Sequence, residues 1–272
     1  MMDRYALVGS PVHHSISPQV HSLFADQTDQ VMDYVAIEVK PDEFIRRVRQ
    51  LADDGFKGLN VTVPLKNLAW EFADIRDDHA ELAGAVNVFK FDPDGTSRGY
   101  NTDGIGLLRD LTQNHGVELK HRRVLVLGAG GAVQGVIVPL LSAEPESIMI
   151  ANRTVAKAEA IVRRVRKFGN LQSCGYEALA DRTYDLVING TSMGLLNEVP
   201  PLPDTVLNPG GYAYDMMYGR KPTAFVKWGQ QHGAAKSLDG TGMLIEQAAE
   251  TFWIWRGVRP ETAPVIRELK SG

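Results

Sequence analysis

Val124-Leu125-Val126-Leu127-Gly128-Ala129-Gly130-Gly131-Ala132 decides how this 272-residue chain is to be read. Four consecutive apolar residues suit a strand buried on both faces, and the glycine cluster at its end permits a tight turn into a helix. Such a turn lets a diphosphate approach the free N–H groups and positive dipole end of the helix. The expected element is the first strand-turn-helix of a dinucleotide-binding domain. It departs from G-x-G-x-x-G at the third glycine, where Val133 stands. The apolar run continues to Leu141, but Gly128, Gly130, Gly131, Gln134 and Pro139 interrupt it. Strand, turn and helix fit it better than a membrane span.

Downstream, Ser147–Ala151 reads as the next strand, and Asn152-Arg153-Thr154 follows it. Asn152 stands 24 residues past Gly128, where an NAD-binding domain usually carries an acid for the ribose hydroxyls. That acid is absent. A carboxylate would repel a 2′-phosphate, whereas Arg153 neutralises it and stacks, with Asn152, Thr154 and Lys157 as hydrogen-bond donors. The reading is therefore NADP rather than NAD. Leu186–Asn189 and Gly211–Asp215 extend the strand series, with helices between its first three members, and Arg163–Lys167 reads as the exposed end of a helix.

Upstream, strand-like and helical runs alternate: Tyr5–Val8, a helix from Pro18, Tyr34–Val39, a helix from Pro41 to Asp54, then Leu59–Val63. Alternation of this kind predicts parallel strands joined by crossover helices. Phe44, Val48 and Leu51 form the apolar stripe of the second helix, with Arg46, Arg47 and Arg49 on its solvated face. Asp92-Pro93-Asp94-Gly95 predicts a hairpin turn between Val86–Phe91 and Ser97–Tyr100. A short polar helix over Thr102–Gln113 would link the two series, and the helical run Met243–Arg256 would return to pack on the first. Two α/β domains are expected, residues 1–101 with 241–272 and residues 102–240, and the cleft between two domains is the default place for function.

The chain carries 29 Lys+Arg against 33 Asp+Glu, a net charge of −4, which argues against a nucleic-acid binder. Its 44% hydrophobic and 23% charged residues are ordinary globular composition. Cys174 is the single cysteine, and no basic-then-apolar leader precedes Tyr5. A soluble, cytoplasmic protein without membrane contact is expected, as a monomer or homodimer.

Three polar clusters fall at ends of predicted elements, where α/β proteins gather their chemistry. In His14-Ser15-Ile16-Ser17-Pro18, two hydroxyls beside a helix start suit either a helix cap or a carboxylate site. In Asn60-Val61-Thr62-Val63-Pro64-Leu65-Lys66, a strand shows Asn and Thr on one face and delivers a lysine beyond a proline. The third cluster is Asn101-Thr102-Asp103-Gly104. A lysine and a carboxylate together can move the proton that leaves a hydroxyl as hydride departs from its carbon.

With Ala85-Val86-Asn87, Tyr214-Asp215-Met216-Met217-Tyr218 and Asp239–Gln247, these motifs resemble the shikimate dehydrogenase family along nearly the whole chain. The resemblance implies an N-terminal substrate domain, a Rossmann NADP-binding domain and a C-terminal helix returning to the first domain. It also implies reversible NADP-dependent oxidation of shikimate to 3-dehydroshikimate, on the route to chorismate and the aromatic amino acids. Ser15 and Ser17 would hold the substrate carboxylate, and Asn60, Thr62, Asn87, Tyr218 and Gln247 would orient the ring. Lys66 and Asp103 would be the catalytic pair. Gly128, Ala129, Gly130, Gly131, Ala132, Asn152, Arg153, Thr154, Lys157, Thr191 and Met216 would bind the cofactor, with Gly240 and Met243 near the nicotinamide. The chain departs from the family pattern at Leu65, Tyr100, Gln134 and Gly190. A quinate/shikimate dehydrogenase or related paralogue is the enzyme alternative. A dinucleotide-sensing regulator is the other alternative, and retention of both Lys66 and Asp103 speaks against it.

Overall fold

The alternating segments of the first hundred residues assemble into one six-stranded sheet. In order they are β1 (Asp3–Gly9), α1 (Ser17–Gln27), β2 (Met32–Glu38), α2 (Phe44–Asp53), β3 (Phe56–Val61), α3 (Lys66–Phe72), β4 (Ile75–Arg76), α4 (Asp78–Ala83), β5 (Val88–Phe91) and β6 (Ser97–Tyr100). The computed structural model describes residues 2–193, 198–219 and 221–271. It divides into two compact units, residues 1–106 with 244–272 and residues 107–243.

In the first unit the strand order is β2-β1-β3-β5-β6-β4. The expected parallel pairing holds for β1, β2 and β3. It stops at β5, which runs antiparallel to both β3 and β6. The Asp92–Gly95 turn accounts for the β5–β6 pair, closed by Gly95 N–H donating to the Asp92 carbonyl at 3.0 Å with Gly95 at φ +89°. Helix α2 buries Phe44, Val48 and Leu51 and leaves Arg46 and Arg49 exposed. These side chains pack with Ala6, Val8, Leu59, Leu65 and Phe89. Helices α3 and α4 escaped the sequence reading because 7 and 6 residues show no clear period. Asp77 caps α4 by accepting from Ala80 N at 2.7 Å.

Two C-terminal helices complete the unit, α9 (Thr241–Arg256) from Leu244 onward and α10 (Thr262–Ser271). Ile245, Ala248, Ala249 and Phe252 pack with Val20, Phe24 and Val265, so the final helical run does return to the N-terminal sheet unit. His21 is 1% exposed beside them, and burial pushes its imidazole down to about 3. The unfolded chain therefore binds an extra proton below the ordinary imidazole range of about 6.5, and folding stability falls as pH drops through that window. We expect this acid limb to steepen by up to about 1.4 kcal/mol per pH unit through His21. Urea titrations of wild type and His21→Leu between about pH 6 and 4 measure it, and identical limbs would refute it.

The second unit holds β7 (Arg123–Leu127), α6 (Gly131–Ser142), β8 (Ser147–Ala151), α7 (Val155–Val165), β9 (Leu171–Cys174), β10 (Tyr184–Asn189), β11 (Leu207–Asp215), α8 (Ala224–Gln231) and β12 (Lys236–Leu238). Its order is β12-β11-β10-β7-β8-β9, with every pair parallel. That is the doubly wound dinucleotide-binding topology, with the chain reversing direction across the sheet beside β7. Edge strands β9 and β12, of 4 and 3 residues, were too short to read from sequence. Helix α5 (Asp103–Arg109) and the π-turn after it, Asp110–Asn114, correct the expectation of a polar linking helix. Leu107, Asp110 and Leu111 are fully buried there, and Asp110 accepts from Tyr214 Oη at 2.6 Å and Asn114 Nδ2 at 2.9 Å. Arg163, Arg164, Arg166 and Lys167 are exposed at the end of α7. Among the described residues no helix is long and apolar enough to cross a membrane.

Candidate active site and nucleotide cradle

In the first unit, β3 ends at Val61 and the next residues turn sharply, with Leu65 N–H donating to the Thr62 carbonyl at 2.9 Å. Leu65 is buried in the sheet core, which fixes its neighbour Lys66 at the start of α3. Lys66 Nζ donates to Asp103 Oδ2 at 2.5 Å, and the two residues are 9% and 5% exposed. A buried ion pair is costly unless its remaining lone pairs are satisfied. Asn87 meets that need, donating from Nδ2 to Asp103 Oδ1 at 2.9 Å, Thr102 Oγ1 at 3.0 Å and Gln247 Oε1 at 3.3 Å. Its Oδ1 accepts from Thr102 N at 2.9 Å. Asn101 holds the start of α5, accepting from Asp103 N at 3.1 Å while donating to the Ala85 carbonyl at 2.9 Å.

Asn60 lies beside this cluster, with Nδ2 3.3 Å from the Asn87 carbonyl and 3.4 Å from Thr251 Oγ1. Lys66, Asp103, Asn60, Asn87 and Gln247 thus come together. Sequence reading placed Thr102 in a polar cluster without giving it a role and missed Thr251, although Thr251 lies one helical turn beyond Gln247 and its Oγ1 donates to the Gln247 carbonyl at 3.0 Å. Ser15 Oγ donates to Ser17 Oγ at 3.1 Å and accepts from Ser17 N at 3.2 Å. Neither serine caps α1, whose cap position is Ile16 with no side-chain bond. Thr62 is half-buried just beyond β3, and Tyr218 belongs to the second unit, half-buried on the loop after β11.

In the second unit the glycine turn has two different reasons for its glycines. Gly128 is at φ +103° and donates to the Ala151 carbonyl at 2.8 Å, a conformation that side chains oppose. Gly130 precedes α6 with no side-chain cap, and a Cβ there would meet no atom within 4 Å. Internal packing does not require that glycine, whereas close approach of a phosphate to the helix start does. Ala129 is buried, and Gly131 and Ala132 are half-buried in the same turn. After β8, Asn152 Nδ2 donates to the Thr154 carbonyl at 2.8 Å and shapes the turn into α7. Arg153, Thr154 and Lys157 are exposed there, and Arg153 has no ion-pair partner among the described residues. An uncapped helix start and an unneutralised arginine, each beyond a central strand, fit the two phosphate positions of NADP.

Thr191 is held from below. Asn189 Oδ1 accepts from Thr191 N at 3.1 Å and Oγ1 at 2.8 Å, while Asn189 Nδ2 donates to Asp215 Oδ1 at 3.0 Å. Burial pushes the Asp215 carboxyl up, opposed by bonds from Thr223, Met217 and Asn189. Gly190, a departure from the family pattern, is complementary to Val133, which stands at the third glycine position of the fingerprint, since a Cβ on Gly190 would collide with Val133 Cγ2 and approach Met216 Sδ to 3.0 Å. Gly240 lacks room for a Cβ against the Met216 backbone carbonyl, and Met243 is buried in the core with Leu111 and Tyr214.

Family models describe the shikimate dehydrogenase substrate binding domain over residues 7–89, shikimate / quinate 5-dehydrogenase over 110–195 and the shikimate 5′-dehydrogenase C-terminal domain over 240–270. The chain is 54% identical over 270 residues to shikimate dehydrogenase (NADP(+)) of Alkalilimnicola ehrlichii, covering 99% of each chain. Among solved structures it resembles an Ael1 enzyme from Pseudomonas putida, with a TM-score of 0.89 and 46% identity over 98% of both chains. It also resembles shikimate 5-dehydrogenase from Thermus thermophilus in complex with NADP(H) and shikimate, with a TM-score of 0.87 and 31% identity over 99% of both.

Proposed function

The chain belongs to the shikimate dehydrogenase family, and from that premise we propose how its own residues serve the reversible, NADP-dependent reduction of 3-dehydroshikimate to shikimate. The observation that carries the assignment of roles is the buried Lys66–Asp103 pair framed by Asn87, Thr102 and Gln247. NADP supplies the hydride donor and acceptor. In the reductive direction the substrate oxygen gains electron density as hydride reaches its carbon, and Lys66 Nζ donates a proton to it. In the oxidative direction the pair takes that proton back. Asp103 orients the ammonium, and Asn87 holds Asp103 by its second oxygen.

Asn60, Thr62, Asn87, Tyr218 and Gln247 orient the substrate ring and its hydroxyls. Ser15 and Ser17 receive its carboxylate, their hydroxyls engaged, among the described residues, only with each other's atoms across the turn into α1. The Ser15→Ala/Ser17→Ala double variant is expected to raise the KM for shikimate about tenfold or more. Its Tm should stay within a degree or two, because no cap is lost. A marked fall in Tm with an unchanged KM would sink this role. The first unit is the substrate domain and the second the NADP domain, where the glycine turn from Gly128 to Ala132 receives the diphosphate and Arg153 the 2′-phosphate. Thr191, Met216, Gly240 and Met243 belong to the cofactor's surroundings. We place the protein in the cytoplasm, as a monomer or homodimer, in keeping with its one buried, unpaired cysteine, Cys174. Absorbance at 340 nm, followed with shikimate or quinate and with NADP or NAD, tests the whole reading. Shikimate with NADP should be turned over most efficiently, and preference for quinate or equal use of NAD would overturn it.

A further inference from the structure

Two rings beside Asn60, one buried and one half-buried, take no part in the proton chemistry. His21, on α1, has neither ring nitrogen at hydrogen-bonding geometry with any partner. Its imidazole stacks on Tyr34 of β2, with centroids 4.2 Å apart and planes within 11°. Phe24, Phe252 and Trp255 surround the same ring. Burial keeps it neutral at working pH, against a weaker upward pull from the Asn60 amide. Tyr34 Oη donates to Asn60 Oδ1 at 2.8 Å.

The orientation of that amide follows from its neighbours. A backbone carbonyl only accepts, so the Asn87 carbonyl must face Asn60 Nδ2, which leaves Oδ1 toward Tyr34. The two contacts of Nδ2, at 3.3 and 3.4 Å, are long and weak, and the bond from Tyr34 is the short one. An amide whose oxygen is held firmly and whose nitrogen is held loosely is a donor available to a ligand oxygen.

We infer that Tyr34 is a positioning residue for the substrate: clamped against the His21 ring, its hydroxyl commits Asn60 Oδ1 and leaves Nδ2 to donate to a substrate hydroxyl or carbonyl oxygen. This rests on the reading of Asn60 as a residue that orients the substrate. Tyr34 makes no contact with substrate in this scheme, and its effect on the substrate passes through Asn60. An apolar ring in its place would stack on His21 equally well but would let the amide rotate.

Steady-state kinetics of the full chain as Tyr34→Phe, Asn60→Ala and the double variant test the inference. Tyr34→Phe should raise the KM for shikimate about fivefold to tenfold, with kcat within about twofold and the KM for NADP unchanged. In the Asn60→Ala background the same substitution should change the KM for shikimate no further, because the route through Asn60 is gone. An unchanged KM in Tyr34→Phe, while Asn60→Ala raises it, would overturn the inference and leave the reading of Asn60 standing. If Asn60→Ala itself leaves the KM unaltered, the reading of Asn60 fails and the inference with it. A fall in Tm accompanied by equal losses in kcat and both KM values would mark Tyr34 as structural and overturn the inference also.

Discussion

Replacing Lys66 by Met, or Asp103 by Asn, is expected to lower kcat by about a hundredfold or more, and the double variant should be scarcely worse than either single. The two groups are joined at 2.5 Å, and Asn87 holds the second carboxylate oxygen. A proton entering or leaving the reacting oxygen therefore meets one unit. Removing either member leaves the other without its function, and groups acting together do not contribute additively. Met and Asn are chosen because they keep close to the original side-chain volume, whereas truncation to Ala would add a cavity to the loss of the charge. Losses that multiply in the double variant would argue for separate roles, and near-normal turnover in Lys66→Met would remove the lysine from the mechanism.

Arg153→Ala should raise the KM for NADP about tenfold or more while leaving NAD little affected. In the second unit this side chain is exposed at the turn into α7 and has no ion-pair partner among the described residues, so its charge remains available to a phosphate. Because the interaction is solvent-accessible, it should weaken with ionic strength, and the gap between wild type and variant should narrow in high salt. Equal losses with both cofactors would place Arg153 in the architecture of the turn instead. Asn152 already shapes that turn through its bond to the Thr154 carbonyl, which keeps any such architectural effect small.

The features that sequence alone determined are those whose causes lie within a few residues. Val124–Leu127 forms a strand because it is apolar throughout, and Gly128 turns because only glycine takes φ +103° without strain. Arg153 is exposed at a strand end because the strand is short and a helix follows. Hairpin β5–β6 announces itself through Asp92–Gly95. Lys66 and Asp103 could be named as chemically able residues, since each follows a strand, yet their pairing spans 37 positions.

Only the tertiary structure decided what surrounds them. Strand β5 lies antiparallel beside β3, which puts the Asn87 carbonyl against Asn60, and α9 brings Thr251 there from 191 positions away. Asp110 reads as a polar helix residue and is fully buried, because Tyr214, 104 positions later, supplies its partner. His21 and Tyr34 carry no local signal of their relation to Asn60. Short edge strands and two-turn helices stay unreadable for a related reason, since their stability comes from neighbours rather than from their own period. Local backbone preference is written residue by residue, whereas a buried polar group is defined by partners that the order of strands in the sheet brings to it.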